Sequence, residues 1–161
     1  MSLQGMIAGL TRAGVSFVVM GGPAARAHGS TRITEDLEIC YDADGPNVEK
    51  LAQLLAVWNA YPRDVAPGLP FIMDAGTLRA APVLTLTTDQ GEIDLFDRVP
   101  GLGAYRQARK ASVEITAGGV SFRVLSLLAL IESKRSTGRP KDRDQIPELE
   151  ALLELKGRRP S

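Results

Sequence analysis

Two strand-length runs, each folded back on itself by a glycine-bearing turn, constrain this chain more than any other feature. Val83 to Thr88 alternates apolar residues with threonine, Asp89-Gln90-Gly91 follows, and Glu92-Ile93-Asp94-Leu95-Phe96 returns. Val113 to Thr116 and Val120 to Val124 repeat the arrangement around Ala117-Gly118-Gly119. Hairpins impose antiparallel pairing. Helical patterns surround them, so the class is α+β (mixed α/β), with a mixed sheet and flanking helices.

The first half supplies helices and two further strands. Leu3, Met6, Ile7 and Leu10 recur at helical spacing, with Gly14 placed to close that helix. The apolar run Val15 to Met20 reads as a strand that Gly21-Gly22 ends. Pro23 then opens a short helix to His28, stopped by Gly29. Leu37 to Tyr41 is a second strand. Asp44 and Pro46 start a helix whose buried stripe is Val48, Leu51, Leu54, Leu55 and Trp58. Tyr61 to Pro70, with three prolines and a glycine, reads as a loop. Ser126 caps a helix carrying Leu127, Leu128, Leu130 and Ile131. After a basic stretch, Lys134 to Arg143, a last helix carries Ile146, Leu149, Leu152 and Leu153. The 161 residues suit one domain, expected over 1–156 with a frayed tail at 157–161.

Composition limits the partners. The 19 basic and 19 acidic side chains cancel, which argues against a globally basic nucleic-acid surface and leaves only local patches. One cysteine, Cys40, excludes an internal disulfide and points to a reducing compartment. The N-terminus lacks a signal-peptide pattern, and no apolar run reaches the ~20 residues of a spanning helix. The expectation is a cytoplasmic protein with no membrane partner.

The chemistry-bearing residues are acids on strands. Asp36 and Glu38 lie two apart, so their side chains share one face while Leu37 and Ile39 take the other. Like charges so placed repel unless a cation lies between them. Mg²⁺, with Mn²⁺ as the alternative, prefers such oxygens and commonly joins one or two carboxylates to substrate phosphates. Asp94 is a third acid between apolar neighbours, able to join the pair if its strand is adjacent. Taken singly, each acid also fits the solvated face of an edge strand. Gly21-Gly22, between an apolar strand and a helix, suits close approach of a phosphate to backbone N–H groups, and equally suits a simple turn. Other positions stay open. Arg32 can bind phosphate or pair with Glu35 or Asp36; Lys134 can be a triphosphate ligand or an exposed lysine. Arg139, Lys141 and Arg143 make a local basic run. His28 reads as a helix-end hydrogen-bonding residue and Cys40 as a buried, inert thiol. No zinc cluster, P-loop or Gly-x-Ser-x-Gly motif occurs.

In this order, Met20-Gly21-Gly22, Asp36-Leu37-Glu38-Ile39 and Ile93-Asp94-Leu95 resemble the pattern of the DNA polymerase β-like nucleotidyltransferase superfamily. Val19 to Asp42 and Leu130 to Leu149 are further similar to a small bacterial group related to AbiEii-type toxins and minimal nucleotidyltransferases. The resemblance spans most of Gly14 to Leu153. It implies that Asp36, Glu38 and Asp94 are catalytic and hold Mg²⁺, with Asp94 also activating the acceptor hydroxyl. It implies that Gly21 and Gly22 contact the triphosphate of an NTP, with ATP expected; Arg32 and Lys134 join them as nucleotide-binding candidates on the residue reading above. The acceptor is then a protein, the 3′ end of tRNA, or a small molecule such as an aminoglycoside, in a toxin–antitoxin setting with a cognate antitoxin. A catalytically weak nucleotide-binding module acting by protein association is the alternative. One departure stands out: the nearest relatives carry Asp where this chain has Glu38, one methylene longer.

Overall fold

The computed structural model describes residues 2–158, the side chain of the last excepted. Helix α1 (Leu3–Arg12) starts where Ser2 Oγ accepts a hydrogen bond from Gly5 N at 2.9 Å, and Gly14, at φ +77°, follows its end. Strand β1 (Phe17–Val19) leads into α2 (Gly21–Ala27). That helix begins two residues earlier than Pro23 suggests. Pro23 still lies in the first turn, where a missing N–H costs nothing. Strand β2 (Leu37–Tyr41) and α3 (Gly45–Val57) follow, the latter capped by Asp44 through Asn47 N at 2.7 Å.

The expected loop after α3 contains β3 (Tyr61–Pro62), and α4 (Ala75–Ala80) follows behind the cap Asp74. The first hairpin is β4 (Val83–Thr88) and β5 (Gly91–Phe96). Two short strands, β6 (Arg98–Val99) and β7 (Gly103–Ala104), pair with each other ahead of α5 (Tyr105–Lys110). The second hairpin is β8 (Ser112–Ala117) and β9 (Val120–Leu125). Helix α6 (Leu127–Thr137) is capped by Ser126, whose Oγ accepts from Ala129 N. A single turn, α7 (Pro140–Arg143), precedes α8 (Ile146–Arg158). Of the tail expected at 157–161, the first two residues continue α8 and 159–161 lie outside the described residues.

The main sheet runs β3-β4-β5-β2-β1-β9-β8. It is mixed, as the hairpins require: β2 with β5 and β1 with β9 are parallel, the other pairs antiparallel. Alternation along β2 and β5 sorts the faces. Leu37, Ile39, Ile93 and Leu95 are essentially inaccessible and belong to a core shared with Val19, Leu51, Leu55 and Val124. Glu38, Glu92 and Asp94 sit on the opposite parity and are only half-buried. Among the described residues no helix is long and apolar enough to cross a membrane.

Candidate active site

Strand β5 lies directly beside β2, with Glu38 opposite Asp94 in the parallel register. In adjacent strands, paired residues project to the same face, so the spacing in sequence becomes a row of carboxylates in space. Asp36 stands just ahead of β2 and Glu92 just ahead of Ile93 on β5. The Asp36 and Glu92 carboxyls are close enough to share a proton, which raises Glu92 above the usual range. Sequence reasoning passed over Glu92, although its parity with Asp94 was the available signal.

The row is divided in its surroundings. Met20 N donates to Glu38 O at 2.9 Å, which extends the β1–β2 ladder by one bond and sets Gly21 against the Glu38 side chain. A methyl group at Gly21 would lie 1.6 Å from Glu38 Oε2, and Gly21 holds φ +63°. The backbone angle favours glycine there, and any larger residue would also displace the Glu38 carboxylate. Burial pushes Glu38 up to about 7, helped by Asp94 and Asp36 and opposed by Lys134 and Lys141.

Glu38, Gly21 and Gly22 open onto a cavity of about 750 Å³ whose other walls include Arg32, Lys134 and Lys141. Two of these cations are positioned by acids. Lys134 is not an exposed lysine: it is 15% accessible and its Nζ lies 3.6 Å from Asp142 Oδ1. Asp142 is buried within the single turn α7; burial alone would raise it, but hydrogen bonds from Thr137 and Arg139 hold it below the usual carboxylate range. Arg32 pairs with neither Glu35 nor Asp36. Its Nε reaches Glu148 Oε2 at 3.0 Å, and Ser30 Oγ donates to the same carboxylate. His28, as expected, ends a helix and makes hydrogen bonds: Nε2 donates to Leu125 O at 2.8 Å, while Nδ1 faces Lys156 Nζ. Cys40 is fully buried, and burial first, then Asp97 and Asp42, push its thiol up to about 12.

On the other side of the row stands Arg63, which no sequence pattern singled out. Its Nη2 donates to Asp94 Oδ1 at 2.9 Å, its Nη1 lies 3.6 Å from Asp36 Oδ2, and its Nε lies 3.4 Å from Glu92 Oε2. Burial raises Asp94, and Arg63 works against that rise. In kind, the oxygens of Asp36, Glu38 and Asp94 suit a hard divalent cation. In arrangement, two of the three are engaged by Arg63, and among the described residues no three His, Cys, Asp or Glu side chains form a ready ligand set.

No protein-family model matches the chain, and no curated protein matches its sequence. Solved structures do match in shape. An antigenic nucleotidyltransferase-like protein from Paracoccidioides brasiliensis superposes with a TM-score of 0.54 at 18% identity, over 91% of this chain and 71% of that one. ANT(2″)-Ia, solved with adenylyl-2″-tobramycin, superposes with a TM-score of 0.53 at 14% identity, over 91% of this chain and 89% of that one. The chain thus has the mixed-sheet fold of nucleotidyltransferase-like proteins, while the narrower likeness to AbiEii-type toxins has no counterpart among these structures.

Proposed function

We propose that the protein is a Mg²⁺-dependent nucleotidyltransferase that moves a nucleoside monophosphate from an NTP, ATP first among the candidates, to a hydroxyl acceptor. The observation that carries the reading is the in-register pair Glu38–Asp94, of which Glu38 lines the cavity walled by Gly21, Gly22 and Lys134. The acceptor oxygen bonds to the α-phosphorus, the bond to the β-phosphate bridge breaks, and pyrophosphate leaves. Lys134 and Arg32 supply positive charge along the triphosphate, and Asp142 and Glu148 fix where those cations point. Asp94 takes the acceptor proton. Asp36, Glu38 and Asp94 would hold the ion, which when bound neutralises developing charge and aligns the reacting oxygens.

The acceptor is a protein, a tRNA end or a small molecule. An aminoglycoside belongs on the panel because one fold neighbour was solved with an adenylylated one. A toxin role with a cognate antitoxin remains part of this proposal and rests on the sequence resemblance alone. The test is incubation with ATP labelled at the α- or γ-phosphate and a panel of acceptors. Label from the α-position alone must enter product, with release of pyrophosphate; transfer from the γ-position instead makes the protein a kinase and ends the reading.

One observation favours the second reading, a catalytically weak nucleotide-binding module. The Glu38 carboxylate is packed against Gly21, where the extra methylene takes it. Glu38→Asp decides between them: a sharp rise in transfer favours the weak module, and a fall favours an enzyme built around Glu38.

A further inference from the structure

We infer that Arg63 is an internal counter-cation that competes with a divalent metal for the acid row, so that metal loading requires its guanidinium to leave. The inference rests on the reading of Asp36, Glu38 and Asp94 as the metal-holding set.

The geometry is specific. One guanidinium touches carboxylates from three places: Asp36 before β2, and Glu92 and Asp94 on β5. It reaches the row from the β3 edge of the sheet, across β4 to β5. A guanidinium can bridge several carboxylates through its fork of donors, which an ammonium cannot do as well. It thereby meets the same like-charge repulsion that a metal would relieve. One guanidinium leaves the three carboxylates net negative, so the competition is for space: a metal that takes Asp36 Oδ2 and Asp94 Oδ1 as ligands needs the gap that Nη1 and Nη2 of Arg63 fill.

The contact is also built to be given up. Nε is buried without a hydrogen-bond partner, facing Glu92 only at ion-pair distance. Such a group lowers the cost of leaving. The backbone is held independently: Arg63 N donates to Thr85 O at 3.0 Å, and the segment after it carries no regular structure until α4. A side-chain rotation therefore releases the guanidinium while β3 keeps its place, giving up one further bond, from Nη2 to Leu86 O.

The test measures Mn²⁺ binding by electron paramagnetic resonance, first without nucleotide and then with ATP, for wild type, Arg63→Met and Arg63→Lys, with melting curves in chelator as the fold check. If the paired state holds about nine-tenths of the molecules, its removal tightens apparent binding about tenfold. Arg63→Met is expected to show that gain and to melt lower in chelator, with Mn²⁺ restoring the loss. Arg63→Lys, which keeps the charge but cannot bridge, is expected to show a smaller gain and provides the answer should the methionine variant not fold. Unchanged or weaker Mn²⁺ binding in the folded variants, while wild type binds through Asp36 and Asp94, overturns the inference and leaves the functional reading standing. No Mn²⁺ binding by any of the three, with or without ATP, overturns both.

Discussion

Glu38 and Asp94 occupy matching positions on neighbouring parallel strands, yet they meet different surroundings. Asp94 is ion-paired at 2.9 Å by Arg63, whereas no ion pair joins Glu38 among the described residues. Glu38 instead packs on Gly21 and feels Lys134 and Lys141 at longer range. Burial raises both acids, but only Asp94 has an adjacent cation to offset it. The pair shows that register sets which groups share a face, while what lies above each group sets its charge. It also gives the site two parts, a cavity walled by cations and an acid row engaged by a guanidinium.

The largest expected effect treats the two acids as partners. Asp94→Asn and Glu38→Gln should each lower α-phosphate transfer by roughly 10²–10³-fold, as when a single charge-stabilising group is lost. A harmless Asp94→Asn would break the pairing and leave Glu38 to act with Asp36 alone.

Stability in metal-free protein separates the two acids next. Glu38 rises from 4.5 to about 7 on folding. Its ionised form is disfavoured in the native state, so the cost is absent below 4.5, grows as pH climbs to 7, and is constant above. At ~1.4 kcal/mol per unit, Glu38→Gln should stabilise the protein by about 3 kcal/mol at pH 8 and hardly at all at pH 4. Asp94→Asn should show no such gain, because it also removes the shortest ion pair of Arg63, at 2.9 Å. Urea midpoints across pH check this; a Glu38→Gln gain that does not vary with pH would contradict it.

Lys134→Ala tests the cationic side and should weaken ATP binding about tenfold, the equivalent of ~1.4 kcal/mol. Asp142→Asn should weaken it by less, since the lysine stays but loses its partner at 3.6 Å. The smallest effect belongs to the rim: Arg32 is 55% exposed in its pair with Glu148, so Arg32→Ala should change folding stability by no more than about 0.5 kcal/mol. Titration calorimetry and thermal melting measure these.

The sequence carried half of this contrast. Period-2 spacing put Asp36 and Glu38 on one face, Asp94 stood out as an acid between apolar neighbours, and the turn around Asp89-Gln90 set β4 against β5. Caps at Asp44 and Ser126 are local signals and were readable as such. What escaped was decided by tertiary placement. Arg63 sits in a proline-rich stretch beside a strand only two residues long, and its three partners come from 27 to 31 positions away. Helix α5 has no side-chain cap and buries only Ala108, so neither a start signal nor an apolar stripe marks it. Asp74 did mark α4, by capping Thr77 N, within a segment too short for periodicity to show. The partner of Arg32 lies on α8, which no local pattern could indicate.

The most direct test of the central claim is calorimetric titration of ATP with Mg²⁺ into wild type and into the double variant Asp36→Ala, Glu38→Ala. Micromolar binding that needs the metal and vanishes in the double variant is the predicted result. Binding that persists without metal or survives the double substitution, or no binding of any NTP with Mg²⁺ or Mn²⁺, would contradict the acid row as the metal and nucleotide site.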